Sequence, residues 1–310
     1  MRLKKRFRGA MLGLAACDAV GTTLEFMDPG TFEPITDMVG GGPFELNAGE
    51  WTDDTSMALC LAASLVECFG FDAQDQIERY VRWWRTGYMS SNGRCFDIGN
   101  TVKAALAKFE ADPSNPYAGS TDPYAAGNGS IMRLAPVPLV FFNDPVNAVE
   151  KAGESSRTTH GAPVAIDACR YMAAIIVGAL NGATKEELLS GNYAPEPGYW
   201  DKFPLRSEIA SIAAGSFKTS EPPVIKGSGY SAKALEAALW AFYKSNTFEE
   251  GCLLAANLGD DADTTAAIYG QIAGAHLGVD AIPAQWLAKV ADRAKIEKLA
   301  DDLFELSNGI

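Results

Sequence analysis

The chain has 310 residues, 47% hydrophobic and 21% charged, with a formal net charge of −13. That length allows a sizeable core, and the composition is that of an ordinary globular protein. The negative balance argues against non-specific attraction to nucleic acid or anionic membrane, and two histidines argue against a Cys/His zinc site or a catalytic triad.

Residues 4–20 read as an amphipathic helix with Phe7, Met11, Leu14 and Ala15 on one face. The basic start and Leu14-Ala-Ala-Cys17 imitate a secretory leader. The apolar run is short, however, contains Gly13 and passes unbroken into residues 18–26, so it reads as part of the fold. No other stretch approaches the roughly 20 apolar residues of a membrane span. A glycine-bearing loop over residues 21–49 carries Glu25. Gly49-Glu-Trp-Thr-Asp-Asp-Thr55 then runs into a helix over about 53–69, with Met57, Leu61, Leu65 and Cys68 at helical spacing.

Residues 74–86 form another helix, stopped by Gly87. Phe96-Asp-Ile-Gly-Asn-Thr101 opens a helix that ends near residue 110. Residues 112–130 are rich in Pro, Gly, Ser and Asn and read as loop. Asp144-Pro145 is an N-cap and N1 pair. The apolar run 162–180, interrupted by Asp167 and Arg170, is expected to be a central buried helix. Thr184-Lys-Glu-Glu187 fits a capping box. Residues 192–206 and 219–230 read as loops, and Ser231 as the cap of a helix bearing Leu235, Leu239 and Phe242. Asn257-Leu-Gly-Asp-Asp-Ala-Asp-Thr-Thr265 packs three acids ahead of an apolar, glycine-marked helix to residue 278, and the last helices follow Pro283.

Strand signals are scarce, and no composition break or repeat marks a boundary. The expectation is one all-α domain over residues 1–310, a compact orthogonal helical bundle with functional loops on one side. The six cysteines form no C-x-x-C pair and mostly lie in apolar surroundings. They read as free thiols in a reducing, cytoplasmic compartment.

No phosphate loop, dinucleotide fingerprint or nucleophile elbow is present. What remains is oxygen chemistry. Thr52, Asp53, Asp54, Asp261, Asp263 and Thr264 offer hard oxygen ligands suited to Mg²⁺, Mn²⁺ or Ca²⁺. Three acids in four residues repel one another unless a cation lies between them. Two such clusters, each at a helix start, suggest one cation site built from both ends of the chain. The competing reading is that these acids merely cap helices. In Ala126-Gly-Asn-Gly-Ser-Ile-Met-Arg133, two glycines flank Asn128, so backbone amides could approach an anion, or the segment could be an ordinary turn. Tyr230 could stack on a base or simply pack. Asp97 and Glu25 are isolated loop acids able to serve as general acid or base, or to be solvated. A lone histidine at a helix start, His160, is more often structural than catalytic.

Taken together, Gly9-Ala-Met-Leu-Gly-Leu-Ala-Ala-Cys-Asp-Ala-Val-Gly21, Thr52-Asp-Asp-Thr55, Phe96-Asp-Ile-Gly-Asn-Thr101, Gly127-Asn-Gly-Ser-Ile-Met-Arg-Leu134, Thr159-His-Gly161 and Asp261-Ala-Asp-Thr264 resemble the ADP-ribosylglycohydrolase family, and within it the bacterial ADP-ribosyl-dinitrogen reductase glycohydrolases. The resemblance implies an all-α enzyme with two Mg²⁺ or Mn²⁺ ions held by Thr52, Asp53, Asp54, Asp261, Asp263 and Thr264. It implies cleavage of the N-glycosidic bond between ADP-ribose and an arginine of a modified protein, with ADP-ribose as product. It implies that Asp97 stands at the scissile bond and Glu25 near the ribose or metal. Asn100, Gly127, Asn128, Gly129, Ser130, Met132, Arg133, His160 and Tyr230 would surround the ADP-ribose. Asp260 departs from a common glycine, as does Cys17. Alternatives are another ADP-ribosyl linkage (ester, serine, nucleic-acid or small-molecule adduct) or a non-catalytic ADP-ribose-binding or structural member of the fold.

Overall fold

Helix starts in the computed structural model, which describes residues 2–310, follow local capping chemistry. Asp72 accepts the N–H groups of Gln74 and Asp75, Asp144 accepts that of Asn147, and Thr184 with Glu187 forms the complete capping box. Pro136, Pro145 and Pro163 each occupy a first helical position, where no intrahelical N–H is required.

Fifteen α-helices are present among the described residues, and β-pairing is confined to isolated bridges. In chain order they are α1 (Arg2–Gly21), α2 (Asp53–Glu67), α3 (Ala73–Thr86), α4 (Asn100–Ala111) and α5 (Pro136–Val140). Next come α6 (Pro145–Arg157), α7 (Pro163–Leu180), α8 (Lys185–Leu188), α9 (Tyr199–Lys202) and α10 (Ser207–Ala213). The chain ends with α11 (Ser231–Lys244), α12 (Phe248–Ala256), α13 (Ala262–Leu277), α14 (Ala284–Lys289) and α15 (Arg293–Ser307). The all-α expectation holds.

Three local readings need correction. Residues 192–206 are not all loop, because α9 forms where Tyr199 buries itself against Trp200 and Phe203. Ser231 does not cap α11. Tyr230 holds the cap position, and the Ser231 hydroxyl is buried without a protein partner among the described residues. Nor is α1 amphipathic along its length: every residue from Gly9 to Gly21 is buried, because the helix runs through the middle of the fold. α7 is apolar and long enough to cross a membrane, yet 83% of it is buried inside the protein. Its two charges are reconciled by a 2.7 Å contact between Arg170 Nη1 and Asp167 Oδ1.

The most extensive helix pair is α1 with α13. Their surfaces meet at glycines spaced four apart. Gly9 lies against the Gly274 carbonyl and Gly13 against that of Gly270, and the contacts are reciprocal. A Cβ at any of the four would overlap the opposite backbone. The helices are antiparallel, so Gly21 at the end of α1 reaches Asp263 at the start of α13. Residues nearly a whole chain apart therefore share one end of this pair.

Candidate functional site

Thr52 and Asp261 hold the N-cap positions of α2 and α13, yet neither side chain caps its helix. Carboxylates from elsewhere do so. Asp18, on α1, accepts the N–H of Thr52 at 2.9 Å and of Thr55 at 3.1 Å, and both hydroxyls at 3.0 and 2.6 Å. Glu25 accepts the N–H of Ala262 at 2.9 Å and, more weakly, that of Asp263 at 3.4 Å. Helix-end donors are thus satisfied from outside, and the clustered acids are left to face one another. The loop carrying Glu25 is held by a reciprocal pair of 2.8 Å bonds, Phe26 N–H to Asp260 O and Asp260 N–H to Met27 O. Asp260 adopts φ 56° there, a left-handed backbone that glycine takes without strain and aspartate tolerates better than most residues.

Two groups of three carboxylates result, Asp18 with Asp54 and Asp263, and Glu25 with Asp261 and Asp263. Within each group the oxygens lie inside 4.8 Å of one another. Asp54 Oδ2 lies 3.0 Å from the Thr52 hydroxyl, whose single proton it shares with Asp18, and accepts that of Thr264 at 3.4 Å. Asp54 Oδ1 and Asp263 Oδ2 are buried and have no partner among the described residues. Such crowding is expensive. Burial, with neighbouring charge on Asp263, pushes Asp18 and Asp261 up to about 7. The same two causes push Asp97 up to about 10 and Glu25 higher still. Burial, then Asp97 and Asp54, raises Asp53; burial, then Asp18 and Asp263, raises Asp54. Orphaned buried oxygens among mutually repelling hard donors fit a bound cation.

Beside these acids lies a cavity of about 370 Å³ whose wall includes Glu25, Asp53, Asp97, Asp261 and Asp263, and no lysine or arginine. Asp97 reaches it from a left-handed backbone, φ 59°, just before α4. Asn100, the first residue of α4, also lines it, as do Gly127, Asn128, Gly129, Met132, His160 and Thr264. Asn128 ties the glycine loop to the acids, its Nδ2 donating to Asp261 Oδ2 at 3.0 Å and to Ser228 O at 3.3 Å. The backbone N–H of Asn128 donates to Gly229 O, so that amide is not bare. Gly127 and Gly129 have a second task. A Cβ at Gly129 would sit 2.8 Å from His160 Cε1, and one at Gly127 would sit 3.2 Å from Nε2.

Some expected residues are not in the wall. Ser130 is buried behind it, accepting a bond from Ser156 Oγ at 2.9 Å. Arg133 is fully buried and bonded to Tyr80, Thr158, Thr159 and Gly129. Tyr230 is half-buried, and its neighbour Gly229 lines the cavity instead. Sequence reasoning missed Asp18. Its signal was an acid inside an otherwise apolar helical run, Leu14-Ala-Ala-Cys-Asp-Ala-Val20.

A family profile described as ADP-ribosylglycohydrolase matches residues 1–309. Over 302 residues the chain is 48% identical to "ADP-ribosylarginine hydrolase Tri1" of Pseudomonas putida (strain GB-1), covering 97% of this chain and 78% of that protein. It is 29% identical to "ADP-ribosyl-[dinitrogen reductase] glycohydrolase" of Rhodospirillum rubrum, covering 97% and 96%. A solved structure described as "ADP-ribosylglycohydrolase-related protein complex" superposes with a TM-score of 0.86 at 42% identity, covering 99% of this chain and 100% of that one. A match that spans both acid clusters and the glycine loop places this chain in the ADP-ribosylglycohydrolase family.

Proposed function

We propose that this chain hydrolyses the N-glycosidic bond between ADP-ribose and an arginine side chain of a modified protein, with two divalent cations, Mg²⁺ or Mn²⁺. The observation that carries the reading is the pair of carboxylate groups sharing Asp263 beside a cavity with no cationic side chain. The Pseudomonas putida relative, named for action on ADP-ribosylarginine, supports the choice of linkage.

Asp18, Asp54 and Asp263 would hold one ion, and Glu25, Asp261 and Asp263 the other, with Asp53, Thr52 and Thr264 adjoining. Cations bound there supply charge neutralisation and a seat for the ribose diol and water. This chain's own residues do the remaining work. Asn128 keeps the glycine loop in register with Asp261, so that the anionic part of the ligand and its ribose are presented together. Cleavage passes through an oxocarbenium-like state and requires a proton to be exchanged at the scissile bond. Asp53 and Asp97 are the wall carboxyls outside both carboxylate groups; Asp53 adjoins the cations, which leaves Asp97 to exchange that proton. Asn100, beside it at the start of α4, offers a neutral amide for orientation.

The test is a panel of defined ADP-ribosyl linkages (arginine, serine, ester and nucleic-acid) incubated with protein and Mg²⁺ or Mn²⁺. Release from the arginine conjugate is expected. Release only from another linkage would move the function there, and release from none would point to a binding protein.

A further inference from the structure

Arg133 is a fully buried guanidinium that meets no carboxylate among the described residues. A buried charge without a counter-ion is costly, so packing alone is a poor account of it. Four of its five N–H donors go to neutral oxygens. Nε reaches Tyr80 Oη at 2.8 Å, Nη2 reaches Thr159 Oγ1 at 2.8 Å and Thr158 Oγ1 at 3.3 Å, and Nη1 reaches the Gly129 carbonyl. Two of these contacts lie directly behind the cavity wall. Gly129 belongs to the loop on one side, and Thr159 precedes His160 on the other.

We propose that Arg133 is a positioning residue: through the Thr159 hydroxyl it fixes His160 in the tautomer that carries its proton on Nε2, so that a neutral N–H donor faces the cavity and binds a ligand oxyanion. The clause about the ligand rests on the functional reading above, in which the oxyanion is a phosphate of ADP-ribose.

The assignment follows from donor counting. A guanidinium donates and never accepts, so Thr159 Oγ1 accepts from Arg133. The hydroxyl has one proton of its own. Its other partner is His160 Nδ1, at 2.8 Å. A proton on Nδ1 would turn the threonine oxygen into a double acceptor and strand the hydroxyl proton, because Thr159 is fully buried. Nδ1 therefore accepts, and Nε2 carries the hydrogen. The Nε2 edge of the ring faces Gly127 and Gly129, lines the cavity and has no protein acceptor among the described residues. Burial, with the charge on Arg133, pushes the imidazole down to about 3, which keeps the ring neutral at ordinary pH.

A neutral donor suits this wall. A charged imidazolium would compete with the cations for the carboxylates, whereas a fixed N–H does not. Because Arg133 also holds the Gly129 carbonyl, one buried group sets the ring and the loop relative to each other. Arg133 thus acts on a ligand it does not touch.

The test uses full-length protein labelled with ¹⁵N-histidine. There are only two histidines, so the His160 ring is identified by comparison with a His276→Gln variant. The expected spectrum shows Nε2 protonated and Nδ1 unprotonated, unchanged from about pH 5.5 to 8.5. Thr159→Val keeps the side-chain volume and removes the relay. It should give a mixture of tautomers and weaken ADP-ribose binding, measured by calorimetry in Mg²⁺, by about tenfold or more. Thr159→Ser restores the hydroxyl and should restore both. Arg133→Gln should behave as Thr159→Val does; should it fail to fold, the threonine pair carries the test. A wild-type ring protonated on Nδ1, or a Thr159→Val protein with unchanged tautomer and affinity, would overturn the proposal. The spectrum needs no ligand. It therefore judges the relay even if wild-type protein binds no ADP-ribose, an outcome that would overturn the functional reading and the ligand role with it.

Discussion

Asp18 receives two hydrogen bonds from Thr55, one from its N–H at 3.1 Å and one from its hydroxyl at 2.6 Å, and so ties the start of α2 to the end of α1. Asp18→Asn would set an amide donor against groups that are themselves donors. The expected loss is about 1–3 kcal/mol of stability in urea unfolding, with weaker Mg²⁺ or Mn²⁺ binding by calorimetry. A variant equal to wild type in both would remove Asp18 from the site.

Divalent cations should stabilise the protein. Ligands that bind only the folded state add about 2.7 kcal/mol when free ligand is about 100 times Kd. Exhaustive chelation should lower the unfolding temperature and abolish hydrolysis, and Mg²⁺ or Mn²⁺ should restore both. Asp263→Asn removes a carboxylate common to both groups, so its response to cation should be small. Full activity after chelation would refute a cation role.

The pH dependence of cation-free protein has a definite sign. Unfolded aspartates titrate near about 3.9, whereas folded Asp18 and Asp261 do so at about 7 and Asp97 at about 10. Over that interval the folded state retains protons that the unfolded chain has released, so stability falls as pH rises. Asp37 and Asp301 are shifted the other way by their partners and act only at more acidic pH. The urea midpoint of chelated protein should therefore drop between about pH 5 and 8, and excess Mg²⁺ should flatten the slope. A midpoint that climbs over the same range would contradict the carboxylate crowding.

Asp97→Asn keeps shape but can neither release nor take up a proton at neutral pH. Single-turnover hydrolysis of an ADP-ribosyl-arginine substrate should slow by about 100-fold or more, with ADP-ribose affinity retained. Wild-type rates would make Asp97 a loop carboxylate and leave Glu25 for the proton.

Gly270→Ala would push a methyl group into the Gly13 backbone. Overpacking of this kind costs about 1–3 kcal/mol. Because the two helices carry Asp18 and Asp263, cation affinity should fall along with stability. Measuring both in one variant separates a shifted seam from a mere loss of packing.

What was legible in the sequence was local. Asp144 and Thr184 act within a turn of where they stand, so their helix starts follow from a few neighbouring residues. The Asp53–Asp54 and Asp261–Asp263 clusters announced themselves by crowding. Asp18 did not, because its role depends on the register of α1 against α13, which no short window contains. Ser231 was misread for a related reason. Its position suits a cap, but pairing of Gly127 with Tyr230 starts the helix one residue earlier. The glycines of the 127–129 loop were legible as sites of close approach, but not that the approaching group includes the ring of His160.

The glycine seam also bears on how the chain is made. During synthesis α1 emerges well before α13, the helix that fits its glycines, which follows only after residue 261. Until then Asp18 has its threonine partners but not Asp263. Loop closure over so long a span is slow relative to local helix formation. A nascent or truncated chain lacking α13 therefore has no assembled acid site, and hydrolytic competence waits for α13 to be made.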